Sequence, residues 1–209
     1  MVYQLTYPDH LILQGPDGMI WRGASQDWYT TAWQRRAGCA PTTAATMLAY
    51  LGKTRPELSA LVPELDAFLP YMESVWEYVT PGPQGLDDPE GFLLGCRSFA
   101  LSRQCVLQGE VLEIPADRSL RPNLARCRAF LTAALEADLP VAFLNYSSEG
   151  LAELDDWHWV PVVSLRGKKT GLPCTYLDGG REEELDFALW LKNTKLGGAL
   201  VRVDPEPAW

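Results

Sequence analysis

The order of hydrophobic patterns along the chain constrains its fold most. Up to about residue 138, apolar residues recur mainly at helical spacing, as in residues 39–51, 88–103 and 122–137. From residue 139 onward, short apolar runs bounded by turn residues take over, beginning with residues 139–144 and 157–165. Helical segments that precede strands predict an α+β fold with an N-terminal helical lobe and a C-terminal antiparallel sheet lobe.

The chain has 209 residues and no visible repeat or long linker, so we expect a single domain over residues 1–209. The helical part is expected at about residues 30–138 and the sheet part at about residues 139–204. Residues 1–38 are expected to be irregular. Within these parts, the patterns predict a helical region over 56–79 broken by Pro63 and Pro70, a strand near 105–113 and a helix over 182–195.

Composition and charge exclude several classes of protein. About 47% of the residues are hydrophobic, which is enough to build a core and argues against a disordered chain. No apolar run approaches the roughly 20 residues that a membrane-spanning helix needs. The 18 Lys and Arg against 27 Asp and Glu give a net charge of −9, which disfavours nucleic acid or an anionic membrane as partner. Because the N-terminus lacks the pattern of an export signal, we expect a cytoplasmic location.

The five cysteines are odd in number, widely spaced and never arranged as Cys-x-x-Cys. This pattern disfavours a disulfide framework and a structural zinc site, and most of these thiols should be buried. The two histidines are far apart and have no local cluster of Cys or carboxylates, so we expect no metal. We expect no other cofactor either.

Cys39 differs from the other cysteines because it precedes a helical pattern. The segment from Gly38 to Pro41 reads as a helix start, and Pro41 fits the first turn. A helix N-terminus favours negative charge, so it can hold a cysteine as the thiolate. Gln34, five residues before Cys39, carries an amide that could donate to an oxyanion together with the Cys39 backbone N–H.

A thiol nucleophile needs a general base, and only His10 and His158 are available. His158 lies in a predicted strand, whereas His10 lies in the irregular N-terminal segment, so His158 is the better candidate. A third group should orient the imidazole. Asp178, at the end of the next predicted strand, is the first candidate, and Asn145 is the alternative.

The order of these residues resembles the papain-like cysteine peptidase superfamily, in particular the bacterial bacteriocin-processing (double-glycine leader) peptidase domains. Three stretches carry the resemblance: Gln34 through Thr46, His158-Trp159-Val160-Pro161-Val162-Val163, and Tyr176-Leu177-Asp178. Ala40 stands where the family has glycine, Gln34 lies one residue closer to the nucleophile than usual, and Pro161 suggests a strand edge or bulge. The resemblance implies a Cys39, His158 and Asp178 triad, with Gln34 at the oxyanion, that cleaves a glycine-containing peptide.

Three functions fit these observations. The first is a cysteine peptidase or thiol hydrolase acting on a peptide or a small amide or acyl substrate. The second is an inactive papain-like module that binds a peptide or protein, for which Trp21, Trp28, Trp157 and Trp159 would be suitable contact residues. The third is an acyl or amide transferase with the same three residues. The sequence leaves the oligomeric state open.

Overall fold

The computed structural model describes residues 1–63, 68–151, 154–167 and 171–206. These residues form six α-helices, α1 to α6, at Ala32–Ala37, Cys39–Thr54, Phe68–Trp76, Pro89–Ser102, Leu124–Glu136 and Phe187–Asn193. They also form nine strands, β1 to β9, at Val2–Gln4, Ile12–Gln14, Ile20–Arg22, Leu107–Ile114, Val141–Asn145, His158–Arg166, Pro173–Asp178, Arg181–Asp186 and Gly198–Pro205. Short 3-10 helices cover Pro8–Leu11, Gln26–Trp28 and Pro56–Leu61.

Seven of the strands form one antiparallel sheet. Its order is β4-β9-β5-β6-β7-β8, and β1 lies alongside β6; β2 and β3 form a separate hairpin. This mixture of helices and antiparallel sheet confirms the expected α+β class. The N-terminal segment is more regular than expected, because β1 joins the main sheet. Strand β4 also belongs to this sheet, although its residues lie within the range that the sequence assigned to the helical part.

Helix α2 runs through the core of the molecule. Its apolar spacing predicts one buried stripe, but every residue from Cys39 to Gly52 is buried. Small residues such as Ala40, Ala44 and Ala45 allow neighbours to pack closely on all sides, including α3 and strand β6. The buried Thr46 hydroxyl donates a hydrogen bond to the Thr42 carbonyl at 2.9 Å, so this polar group keeps a partner inside the core.

The far end of α2 is held by a buried carboxylate. Asp138 Oδ1 accepts hydrogen bonds from the Tyr50 hydroxyl and the Thr6 backbone N–H, each at 2.6 Å. Its Oδ2 lies 3.5 Å from an Arg55 guanidinium nitrogen. Because Tyr50 and Arg55 belong to the end of α2, this network ties the helix to the N-terminal segment and to the turn before β5.

The predicted helix over 182–195 is wrong in its first part. Residues Arg181–Asp186 form strand β8, and the helix α6 begins only at Phe187. Gly179 and Gly180 both have positive φ, +52° and +76°, which suits the tight turn of a β-hairpin with β7. Pairing with β7 therefore overrides the helical tendency of the glutamate-rich stretch.

Two other predicted elements have a mixed outcome. The strand near 105–113 is β4, and the helical region over 56–79 consists of a 3-10 helix and α3. Residues 64–67 of that region lie outside the described part. No helix in the described ranges combines the length and apolar character needed to cross a membrane.

Candidate active site

Cys39 is the first residue of α2, where two helices meet. Helix α1 begins with Thr31 as its N-cap, and Gly38 joins its end directly to α2. A side chain at Gly38 would not fit, because its Cβ would lie 2.5 Å from the Gln34 carbonyl oxygen. The close approach, and not a positive φ, therefore explains this glycine. The Cys39 side chain is 8% exposed and lies where the helix dipole and unpaired N–H groups favour negative charge.

His158 and Asp178 meet at the ends of neighbouring strands. His158 is the first residue of β6 and Asp178 is the last residue of β7. His158 Nε2 lies 3.1 Å from Asp178 Oδ2, and His158 lines one small cavity together with Cys39, which is among the groups that raise the pKa of His158. Since Asp178 occupies Nε2, Nδ1 is the ring nitrogen left for the thiol. The structure thus brings together the three residues expected from the sequence.

The pKa of His158 is raised from 6.5 to about 10. Burial alone lowers this pKa, but the hydrogen bonds to Asp178 and Cys39 and the negative charges of both partners outweigh it. The imidazole is therefore protonated at neutral pH. An imidazolium beside a sulfur at a helix N-terminus stabilises the thiolate form, which is the nucleophilic form of cysteine.

The other four cysteines are in a different environment. All four are free and buried. Burial raises the pKa of the Cys127 thiol to about 11 and raises the pKa values of Cys96, Cys105 and Cys174 as well. These thiols are therefore protonated at neutral pH and behave as small core residues.

His10 and Asn145, the alternatives for the base and its orienting group, have other contacts. The His10 ring stacks on Tyr7 and lies near Tyr50, which is 11 residues along α2 from Cys39, about 16 Å at 1.5 Å per residue. Asn145 donates to the Asp155 carbonyl and accepts from the Trp190 indole, each at 2.8 Å. Both ends of its amide are therefore occupied by structural hydrogen bonds.

Gln34 lies in α1 and its side chain belongs to a capping box. Its Oε1 accepts from the Thr31 hydroxyl at 2.9 Å, and its backbone N–H donates to the same hydroxyl at 3.1 Å. Gln34 does not line the cavity beside Cys39. The structure therefore gives this residue a helix-capping contact where the sequence predicts an oxyanion donor.

A different glutamine shares a cavity with Cys39. Gln26 lines a small cavity of about 20 Å³ together with Cys39, His158 and Asp178. One N–H of its amide donates to the Arg35 carbonyl at 2.8 Å, which leaves the second N–H available. Its Oε1 is buried with no hydrogen-bond partner in the described part of the chain. Sequence spacing gives no signal for Gln26, because a loop and helix α1 separate it from Cys39.

The remaining residues around this cavity come from the N-terminal segment, helix α2 and strands β6 and β7. They are Ala24, Thr42, Thr43, Thr46, Trp159, Pro161 and Leu177. The Thr43 hydroxyl donates to the Trp159 carbonyl at 3.1 Å, so it joins helix α2, which carries Cys39, to strand β6, which carries His158. Trp159 itself is only 2% exposed, with its ring stacked on Phe92, so it is a core residue and not a surface contact.

Strand β6 is irregular close to this contact. Its register with β7 shifts between Val162 and Ser164, next to Pro161. This agrees with the bulge that Pro161 suggests. Over the residues that the structure describes, there is no group of three or more His, Cys, Asp or Glu side chains that could hold a metal ion.

Comparisons with known proteins address the fold. No family model matches the chain, and no curated protein matches its sequence. Among solved structures, it is similar to UfSP from C. elegans, with a TM-score of 0.51 and 11% sequence identity. The match covers 99% of this chain and 34% of that one, so the chain spans about a third of the length of UfSP. At this identity the likeness concerns the fold alone, and it confirms the α+β papain-like cysteine protease fold.

Proposed function

We propose that this protein is a cysteine peptidase-like thiol hydrolase that cleaves a peptide or amide bond with Cys39, His158 and Asp178. The observation that carries the proposal is the 3.1 Å contact between His158 and Asp178 at a small cavity that Cys39 also lines. Nucleophile, base and orienting group in this order are the parts that covalent acyl transfer needs.

The first half of the reaction uses the thiolate. The Cys39 sulfur attacks the substrate carbonyl carbon, a C–S bond forms, and the carbonyl electron pair moves to oxygen. When the tetrahedral intermediate collapses, the C–N bond breaks and the imidazolium of His158 gives its proton to the leaving amine. A thioester with Cys39 remains, and Asp178 holds the ring in position throughout.

The second half removes the acyl group. Neutral His158 takes a proton from a water molecule, the oxygen attacks the thioester carbonyl, and the C–S bond breaks. The products are a carboxylic acid, the Cys39 thiolate and an imidazolium, so the site returns to its starting charge. Water and substrate are the only reactants, and the step needs no metal or redox partner.

The developing oxyanion needs hydrogen-bond donors in both halves. We assign this role to the Cys39 backbone N–H and to the second amide N–H of Gln26. Gln26 lines the cavity of Cys39, and its contact with the Arg35 carbonyl positions the amide. This assignment replaces Gln34, whose side chain is engaged at Thr31.

The resemblance to double-glycine leader peptidases favours a glycine-containing peptide as substrate. A transferase would use the same residues with an amine or thiol in place of water, so the nature of the acceptor distinguishes it from a hydrolase. An inactive binding module would have no need for a cysteine at a helix N-terminus that shares a cavity with an imidazole paired to a carboxylate, and this arrangement favours the enzyme over the module.

Acylation by 4-nitrophenyl acetate tests the proposal. We expect a burst of nitrophenol, one added acetyl group by intact mass, and peptide mapping that places it on Cys39. The Cys39→Ala variant is the control for non-specific acetylation, and Cys96→Ala is the matched control for a buried thiol. Acetylation of Cys39 no faster than that of unfolded protein would contradict the proposal.

A further inference from the structure

One tryptophan next to the catalytic base remains exposed. Of the four tryptophans considered as contact residues, Trp159 is buried, and Trp28 packs its ring against those of Trp21 and Phe68. Trp157 directly precedes His158 and is 54% exposed. A large aromatic side chain that directly precedes the base in the chain and faces solvent is a candidate for contact with a peptide substrate that extends beyond the cavity.

The Trp157 ring is held in place on one side. It packs against Tyr146 with the ring centroids 4.9 Å apart, and the Tyr146 hydroxyl donates to the Asp87 carbonyl at 2.6 Å. The loop that carries Asp87 is tied to the site a second time, because the Trp159 indole donates to the Leu86 carbonyl at 2.6 Å. The Trp157 and Tyr146 rings therefore form one wall next to His158 in the chain, and the loop at Leu86 and Asp87 holds this wall through hydrogen bonds.

Carboxylates surround this wall. Asp87, Asp88 and Glu113 are exposed, and their negative charges, after burial itself, raise the pKa of Tyr146 to about 12. Asp155 and Asp156, just before Trp157, are exposed as well.

Lys195, a basic residue close to this wall, is paired with a carboxylate. The Lys195 backbone N–H donates to the Ser147 hydroxyl, next to Tyr146 in the chain, and the Lys195 ammonium pairs with Glu149 at 2.6 Å. The wall is therefore an aromatic surface in a negative field.

We propose that Trp157 and Tyr146 form a specificity subsite that takes a lysine or arginine side chain of the peptide substrate. The cation would lie against the solvent-facing side of the Trp157 ring, where a cation–π contact is favourable, and the carboxylates of Asp87 and Asp88 complement its charge. An acidic side chain is disfavoured by the same charges. This inference rests on the proposed function, because it defines the substrate of that site.

A binding experiment that needs no catalysis tests the subsite. The full chain with Cys39→Ala is labelled with ¹⁵N and titrated with acetyl-Gly-Gly-Lys-Gly-Gly-amide and with the same peptide carrying norleucine or glutamate. The Trp157 indole signal, assigned with Trp157→Phe, reports binding. We expect the lysine peptide to bind at least about five-fold more tightly than the norleucine peptide, and the glutamate peptide to bind most weakly.

Substitutions show which residues cause the preference for the lysine peptide. Trp157→Ala should remove the preference for lysine, and Asp87→Asn with Asp88→Asn should reduce it and make it less dependent on salt. Tyr78→Ala is the matched control, since Tyr78 is also a partly exposed ring packed on another aromatic residue, Phe99, and should leave affinity unchanged.

Equal binding of the three peptides, no binding of any of them, or an unchanged preference in Trp157→Ala would overturn the subsite. None of these results depends on thiol reactivity. Failure of the subsite is therefore distinguishable from failure of the hydrolase proposal, which acylation of Cys39 tests separately.

Discussion

His158 Nε2 and Asp178 Oδ2 lie 3.1 Å apart at the cavity that Cys39 also lines. The Asp178 hydrogen bond and charge are among the causes that raise the pKa of His158 from 6.5 to about 10 against the effect of burial. In the proposed reaction, Asp178 would therefore both hold the ring in place and favour the protonated imidazole that donates to the leaving group.

Replacing Asp178 should lower the pKa of His158. In Asp178→Ala, the hydrogen bond and the charge of Asp178 are lost while burial remains, so the pKa of His158 should fall clearly below its wild-type value. Asp178→Asn keeps a hydrogen-bonding group and should give a smaller shift. NMR titration of the His158 ring measures this directly, with His10 as the internal control. Equal His158 pKa values in wild type and Asp178→Ala would contradict the assignment.

Stability should depend on pH through the same histidine. The folded pKa of His158 is above its unfolded value, so its stabilising contribution is fully present below about pH 6.5 and is lost as the pH rises through about 10. The unfolding free energy of the wild type should therefore decrease over this window, by up to a few kcal/mol, relative to His158→Gln. Urea unfolding at several pH values measures the difference, which cancels the titration of other groups. If the difference in unfolding free energy between wild type and His158→Gln stayed constant or increased with pH, the prediction would be contradicted.

The Thr43 hydroxyl should contribute both to the stability of the fold and to the reactivity of Cys39. Thr43→Val removes the hydroxyl that bonds the Trp159 carbonyl, so it should destabilise the protein by about 1–2 kcal/mol and slow alkylation of Cys39. Thr43→Ser retains the hydroxyl and should restore the reactivity even if it loses some packing. Urea unfolding and alkylation rates on the same samples separate the two effects. Unchanged reactivity in Thr43→Val would show that the contact does not position the site.

The two glutamines should separate catalysis from helix capping. Gln26→Ala should slow acylation of Cys39 by 4-nitrophenyl acetate, up to roughly the 10²–10³-fold seen for loss of one oxyanion donor. Gln34→Ala should instead lower stability by about 1 kcal/mol through loss of the capping box, with acylation unchanged. Stopped-flow acylation and thermal unfolding distinguish them. A large rate loss in Gln34→Ala alone would restore the sequence-based assignment.

These two glutamines illustrate what a sequence can predict. Cys39, His158 and Asp178 could be named because each lies at an element boundary that local patterns mark: a helix start, an apolar strand and a strand that ends in a turn. Gln26 could not, because its position beside Cys39 depends on how a loop folds over α1. The side-chain amide of Gln34 and the family resemblance predict an oxyanion donor, but Thr31 three residues earlier completes the capping-box pattern that accounts for this residue.

Strand β8 shows a second limit of prediction from the sequence. Leu185 and Ala188 fall at helical spacing, yet the first belongs to β8 and the second to α6. The Gly179-Gly180 pair after β7 was the stronger signal, because two adjacent glycines suit a hairpin turn whose second strand follows at once. The extent of burial around α2 also exceeds what its apolar stripe predicts, since it depends on packing from both lobes.

Selective alkylation of Cys39 tests the central claim most directly. Native protein is treated with iodoacetamide at about pH 7, and the rate at each cysteine is followed by peptide mass spectrometry, in the wild type and in His158→Ala. Cys39 should react at least about ten-fold faster than Cys96 and should lose most of that advantage in His158→Ala, because the imidazolium that stabilises its thiolate is gone. If Cys39 reacts no faster than Cys96, or equally fast without His158, then Cys39 and His158 are not a catalytic pair.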